Sequence, residues 1–178
     1  MKYVLNHGSA VYSLCILSTG VLASAGAGDC SIKLWDVNLG GELAHTFKDH
    51  TGMVCDVKFH PDGTCVASCA SDKKIKIFDV RSHRLLQHYD AHQDLINSIA
   101  FHPNGSYLLS TSNDGTLKIW DLRRGTILYT LYGHEGQTTS GSFSPAGDYF
   151  VTGGKDSVIL VWKSNLNTYQ VETLGGYD

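Results

Sequence analysis

Four histidines, four aspartates and four hydroxyl residues recur along this 178-residue chain in an order that could assemble a hydroxyl nucleophile, an imidazole base and an orienting carboxylate, or a set of metal ligands. His7, His50, His92 and His134 lie 43, 42 and 42 residues apart, and Asp29, Asp72, Asp114 and Asp156 repeat that interval. Trp35, Phe78, Trp120 and Trp162 each follow their aspartate by six residues. Ser68, Ser110 and Thr152 each precede theirs by four, whereas Ser24 precedes Asp29 by five. A catalyst needs one such set. Four sets at a fixed interval belong to a repeated structural unit, in which an indole N–H donates to the hydroxyl, the hydroxyl to the imidazole, and the imidazole to the carboxylate. These sixteen residues are therefore read as structural anchors, with no catalytic residue, no metal and no cofactor expected. Phe78 has no N–H to give, so the second relay is incomplete by composition.

The elements that must position these anchors follow from laying the repeats over one another. Strand a falls at 11–16, 54–59, 96–101 and 138–143, and a tight turn follows it: HPDG at 60–63, HPNG at 102–105 and SPAG at 144–147. Proline presets one backbone angle and glycine supplies a left-handed one. The first repeat has LSTG at 17–20, keeping the glycine and losing the proline. Strand b reads VLAS, CVAS, YLLS and YFVT, and strand c reads SIKLWDV, KIKIFDV, TLKIWDL and VILVW. Strand d reads ELAHTF, RLLQHY and TILYTL. Such runs, rich in β-branched and aromatic residues, suit strands covered on both faces, and no segment keeps a helical period. Residues 2–6 occupy the d slot before His7 and are predicted to form an outer strand.

Composition agrees. With 42% hydrophobic and 17% charged residues, the chain can bury a core. A net charge of −3 predicts no nucleic-acid partner, and the lack of a long apolar run predicts no membrane span and no secretory leader. Cys15, Cys30, Cys55, Cys65 and Cys69 form no CxxC pair and are read as free thiols of a cytosolic protein.

GH at 133–134, the aspartates and the WD pairs at 35–36 and 120–121 resemble the WD40 family. That resemblance implies an all-β propeller of four consecutive repeats, at about 7–48, 50–90, 92–132 and 134–163, followed by a tail or extra outer strand at 164–178. A narrower resemblance lies in DVRSHRLLQHYDAH at 79–92, FHPNGSYLLSTSNDGTLKIWDL at 101–122, GTILYTLYGHEGQ at 125–137 and VWKSN at 161–165. These stretches are similar to the last blades of the centriolar family named proteome of centriole 1. It implies part of a seven-bladed ring, carried by a piece or short isoform of a longer protein. It also implies a non-catalytic scaffold at the cytoskeleton of the centriole, basal body or cilium, with tubulin or centriolar and ciliary proteins as partners.

Two treatments of the ends stay open. Residues 2–6 could close a four-bladed ring on the last blade, or TYQVETL at 168–174 could supply that blade's own d strand and leave open edges prone to self-association. Two faces are candidates for partner binding. One carries Tyr12, Met53, Leu95, Asn97, Asn113, Gln137 and Lys155. The other carries Arg81, Arg84, Arg123 and Arg124, with His60, His83 and His102 nearby, a basic patch suited to an acidic protein surface. FDVR at 78–81 and WDLR at 120–123 resemble the WDxR boxes of substrate receptors for cullin-based ubiquitin ligases, an alternative function using the same arginines.

Overall fold

The computed structural model describes residues 4–167, and among them fifteen strands form four antiparallel sheets with no helix. The first sheet orders β1 (Val11–Ile16), β2 (Val21–Gly26), β3 (Ile32–Asp36) and β4 (Glu42–Phe47). The second holds β5 (Val54–Phe59), β6 (Cys65–Ala70), β7 (Lys74–Asp79) and β8 (Leu85–Asp90). In the third are β9 (Ile96–Phe101), β10 (Tyr107–Ser112), β11 (Thr116–Asp121) and β12 (Thr126–Tyr132). The fourth has β13 (Thr138–Phe143), β14 (Tyr149–Gly154) and β15 (Ile159–Lys163). Each sheet is one blade of an all-β partial propeller consistent with a larger ring.

The turns between the first two strands of each blade behave as their glycines dictate. Gly20, Gly63, Gly105 and Gly147 take φ of +90°, +74°, +76° and +77°, and each N–H donates back to the residue three positions earlier. In blade 1 the Leu17 N–H reaches Val21 O, whereas in blade 2 the His60 N–H reaches Cys65 O, so the first turn is one residue shorter.

Three apolar seams join the blades. Ile32, Leu34, Phe47, Val54, Val57 and Phe78 pack between blades 1 and 2. Ile75, Tyr89, Ile96, Ile99, Leu108 and Trp120 pack between blades 2 and 3, and Leu109, Leu117, Ile119 and Phe150 between blades 3 and 4. At about 25 cal/mol per Å² of apolar surface removed from water, burial of this kind is the main force holding one blade to the next. The innermost strands pack in sequence, β1 on β5, β5 on β9 and β9 on β13, with no comparable packing of β13 back onto β1. The blades form an arc.

The ends depart from two of the sequence expectations. Residues 4–6 are not strand, and Val4 is 75% exposed, because no strand of a preceding blade lies beside them to accept a ladder. Residues 4–6 do not pair with β15, and residues 2–3 lie outside the described residues. TYQVETL at 168–174 likewise lies outside the described residues. The start of the tail does not depart from the body: Leu166 is buried in the seam of blades 3 and 4, and Asn167 Nδ2 donates to Ala146 O at 3.2 Å.

Candidate functional site

The anchors of blades 3 and 4 form unbroken relays. Trp120 Nε1 donates to Ser110 Oγ at 2.9 Å, Ser110 Oγ meets His92 Nε2 at 2.8 Å, and His92 Nδ1 meets Asp114 Oδ2 at 2.9 Å. In blade 4, Trp162 Nε1 reaches Thr152 Oγ1 at 3.0 Å, Thr152 meets His134 Nε2 at 2.9 Å, and His134 Nδ1 meets Asp156 Oδ2 at 2.9 Å. Blade 2 has the same chain from Ser68 through His50 to Asp72, at 2.9 and 2.8 Å, and lacks the indole, since Phe78 instead stacks on Phe47 with centroids 4.3 Å apart. A carboxylate only accepts, so the imidazole carries its proton on Nδ1 and takes the hydroxyl proton at Nε2. Burial disfavours the charged ring and holds His92 below its usual range. Burial alone would raise Asp114, but bonds from the Thr116 hydroxyl, the Gln93 and Thr116 N–H groups and His92 outweigh it and hold the carboxyl down at about 2.

The connectivity is that of a hydrolytic triad, and in blades 2 and 3 the hydroxyl is shut away from solvent. Ser68 and Ser110 are wholly buried, so no substrate reaches their oxygens, and in blade 3 the lone pair that would attack accepts an indole proton. What the relay does in blades 2 and 3 is give its own buried donors and acceptors partners.

Blade 1 solves the same problem differently. Trp35 Nε1 donates to Ser24 Oγ at 2.8 Å, but His7 is turned over and meets Ser24 with Nδ1 at 2.7 Å. Its Nε2 is 3.5 Å from Asp29, and Ser31 stands between, 3.3 Å from the ring and donating to Asp29 Oδ2 at 2.7 Å. The extra residue between Ser24 and Asp29 moves the carboxylate outward, and the Ser31 and Ser9 hydroxyls hold it ionised well below the usual carboxylate range, against the opposing effect of burial.

Several residues outside the sixteen anchors tie the blades together. His60 Nε2 meets Gly105 O at 2.8 Å and His102 Nε2 meets Gly147 O at 3.1 Å, each 45 residues ahead. Asp56, buried on β5, accepts from Ser13 Oγ at 2.6 Å on β1 and from the Ile99 N–H at 3.1 Å on β9. Lys76 and Lys118 donate to Asp49 O and Ala91 O, both at 2.7 Å, and Lys33 to His7 O, pinning the loop before each blade. His60 and His102, and Lys33, Lys76 and Lys118, share the period of the anchors, the signal by which they could have been found, whereas Asp56 occurs in its slot once, with serine at 13, 98 and 140.

The face carrying Met53, Leu95 and Gln137 is largely a seam of backbone. The carbonyls of all three accept N–H groups of the following turn, from Ser71, Asn113 and Lys155, each at 2.9 Å, and their side chains are half-buried. Asn97 is likewise spent, its Nδ2 donating to Asn113 Oδ1 and Thr138 O at 2.8 Å. Tyr12 and Lys155 remain exposed.

On the opposite face the four arginines are all exposed and divide into two pairs. Arg123 Nη2 donates to Ser106 Oγ at 2.7 Å, and Arg124 Nε lies 3.8 Å from Asp121. Arg81 and Arg84, in the β7–β8 hairpin, hold no side-chain hydrogen bond or ion pair within 4 Å among the described residues. The two hairpins are neighbours, since Gln87 Nε2 of blade 2 donates to Leu122 O of blade 3 at 3.0 Å. The three histidines assigned to this basic patch do not add to it. His60 and His102 are turned inward as ties, and His83 stacks on His45 of β4 with centroids 4.1 Å apart. The five cysteines are free thiols, and burial pushes Cys15, Cys55 and Cys65 up to about 11.

Four stretches, 2–36, 41–79, 83–121 and 125–163, match the WD40 family model described as WD domain, G-beta repeat. The chain is similar to the guanine nucleotide-binding protein subunit beta of Oryza sativa subsp. japonica, 32% identical over 49% of this chain and 23% of that protein. It is similar to nuclear distribution protein PAC1 of Arthroderma otae, 48% identical over 32% of the chain and 12% of that protein. With nuclear distribution protein nudF of Aspergillus flavus it shares 36% identity over 51% of the chain and 21% of that protein. The matched part thus spans less than a quarter of each of these relatives.

Proposed function

The chain belongs to the WD40 repeat family, and on that premise we propose that it is a non-catalytic scaffold whose arginine face docks an acidic protein surface. Tubulin in the wall of a centriole, basal body or cilium is the partner that the resemblance of residues 79–165 favours. The observation that carries this reading is the pair of exposed arginines, Arg81 and Arg84, whose side chains have no hydrogen bond or ion pair within 4 Å among the described residues, on a hairpin of a chain whose net charge is −3. A positive patch on a negative molecule marks where an acidic partner gains most from approach. The relatives are named for nucleotide-binding protein subunits and for nuclear distribution, and both names fit repeat surfaces used as platforms.

Co-sedimentation with microtubules tests it. Changing Arg81, Arg84, Arg123 and Arg124 to Glu should abolish binding with the fold intact, and raising salt should weaken the wild-type interaction, since exposed charges are screened over about 8 Å at physiological ionic strength. Undiminished binding by the quadruple variant would overturn the reading. The ligase-receptor alternative asks Arg81 and Arg123 to act alike, and the Arg123 bond to Ser106 makes them unlike.

A further inference from the structure

Where blades 2, 3 and 4 meet on the arginine face, a histidine plugs the junction. A methyl group built on Gly105 would sit 2.5 Å from His60 Cε1, and the His102 ring fills the same place against Gly147. At the junction of blades 1 and 2 the plug is changed. Leu17 stands in the histidine position, 3.4 Å from where a methyl group built on Gly63 would sit and so clear of the close packing seen at Gly105 and Gly147, and belongs to the turn that is one residue shorter. A groove of 330 Å³ lies there, walled by Leu17, Val21, Pro61 and Val80 and carrying Asp62 and Arg81.

The two charged groups are not equivalent. Asp62 Oδ1 already accepts from the Thr64 N–H at 2.8 Å, from the Thr64 hydroxyl at 2.7 Å and lies 2.7 Å from His60 Nδ1. Arg81 lines the groove and, although its charge acts on nearby Asp79, its side chain has no hydrogen bond or ion pair within 4 Å among the described residues. A planar guanidinium beside an apolar trough recognises a carboxylate that follows or precedes an apolar side chain. Building on the reading of the arginine face as a docking surface, we propose that this groove is the specific pocket of that face and binds an extended peptide segment of a protein partner, with its aspartate or glutamate on Arg81 and its neighbouring aliphatic side chain against Leu17, Pro61 and Val80. The broader face supplies attraction and the groove supplies selection.

The test is fluorescence anisotropy on the full chain with a fluorescein-labelled, end-blocked peptide carrying leucine next to aspartate, and its counterpart carrying asparagine. The aspartate peptide should bind, and the asparagine peptide at least about tenfold more weakly, as expected for loss of one charge-assisted pair. Arg81→Gln should cost about the same factor, Ser18→Trp should block the groove, and Lys48→Gln, at an exposed cation just after β4 and outside the arginine hairpins, should change affinity less than twofold. Equal loss from Arg81→Gln and Lys48→Gln, indifference to Ser18→Trp, or no binding at millimolar peptide would overturn the groove. Microtubule co-sedimentation of the same preparations reports on the face separately. Retained co-sedimentation with no peptide binding would sink the groove alone, and the reverse would sink the tubulin reading alone.

Discussion

Blades 1 and 3 are built to one plan and differ in how completely they are enclosed. In blade 3 every residue of β10 is buried, the relay runs unbroken from Trp120 to Asp114, and His102 is plugged into the next blade. In blade 1 the β1 residues Tyr12, Leu14 and Ile16 are 58%, 59% and 58% exposed, the imidazole is reversed, and Leu17 replaces the tie. The difference teaches that the plan specifies a destination for each polar proton and not a particular ring orientation. The hydroxyl of Ser31, at the offset that Thr116 holds from Asp114, keeps the displaced carboxylate in touch with the ring, and Ser9 adds a second donor.

The largest contrast should come from the apolar residues. Leu109→Ala, fully buried, should cost about 2–5 kcal/mol, and Leu14→Ala no more than about 0.5 kcal/mol, by chemical denaturation. In any assembly that covers the outer face of blade 1, the second value should rise toward the first, which makes Leu14→Ala a sensor of a neighbouring blade.

A smaller contrast separates the carboxylates. Asp114→Ala strands a buried imidazole proton and should cost about 1–3 kcal/mol. Asp29→Ala should cost less, because that side chain is 30% exposed against 11% for Asp114 and is held by serines rather than by the ring. Thermal melts showing Asp29→Ala as the worse of the two would break the comparison, and a stable Asp114→Ala protein with one binding activity selectively lost would recast the relay as a site.

His102→Leu copies the blade 1 arrangement into blade 3. It leaves Gly147 O without its partner and should cost about 1 kcal/mol, with the loss confined to the junction of blades 3 and 4 in hydrogen exchange.

The mildest effect is that of pH. His92, His7 and His45 are held below their usual range by burial, so the unfolded chain binds more protons than the folded one below about 6.5. Stability should decline as pH falls through that value, and decline again between about 4 and 2 as Asp114 protonates. His92→Gln should flatten the upper step more than His7→Gln does. A melting temperature flat from pH 7.5 to 5.5 would contradict the neutral-ring assignment.

Strand positions were legible because superposing the repeats averages out the irregularities of any one of them; the four a strands fall where the alternating runs end before each turn. Other features were illegible because they depend on geometry rather than residue type. The d strands skip one residue opposite each anchor aromatic, so Trp35 pairs with Leu43 while Leu34 pairs with His45, and Trp120 pairs with Ile127 while Ile119 pairs with Tyr129. Such bulges sharpen the local twist and leave no compositional trace. The reversal of His7 needed the position of Ser31, which only a three-dimensional arrangement supplies. His60 and His102 do stand near the arginine face, but their role was illegible for a related reason: a turn histidine shows no partner until the next blade's glycine is seen to receive it.

The ties of His60 and His102 reach only to the next blade, and so does each apolar seam. The molecule is then energetically a row of beads with nearest-neighbour couplings, and loss of order should propagate from the outermost beads inward rather than strike everywhere at once. Among the described residues, blades 1 and 4 have one coupled neighbour each, and taken by themselves they should open at lower free energy than blades 2 and 3. Damage in the middle therefore divides the array into two weaker halves, while damage at an end merely shortens it.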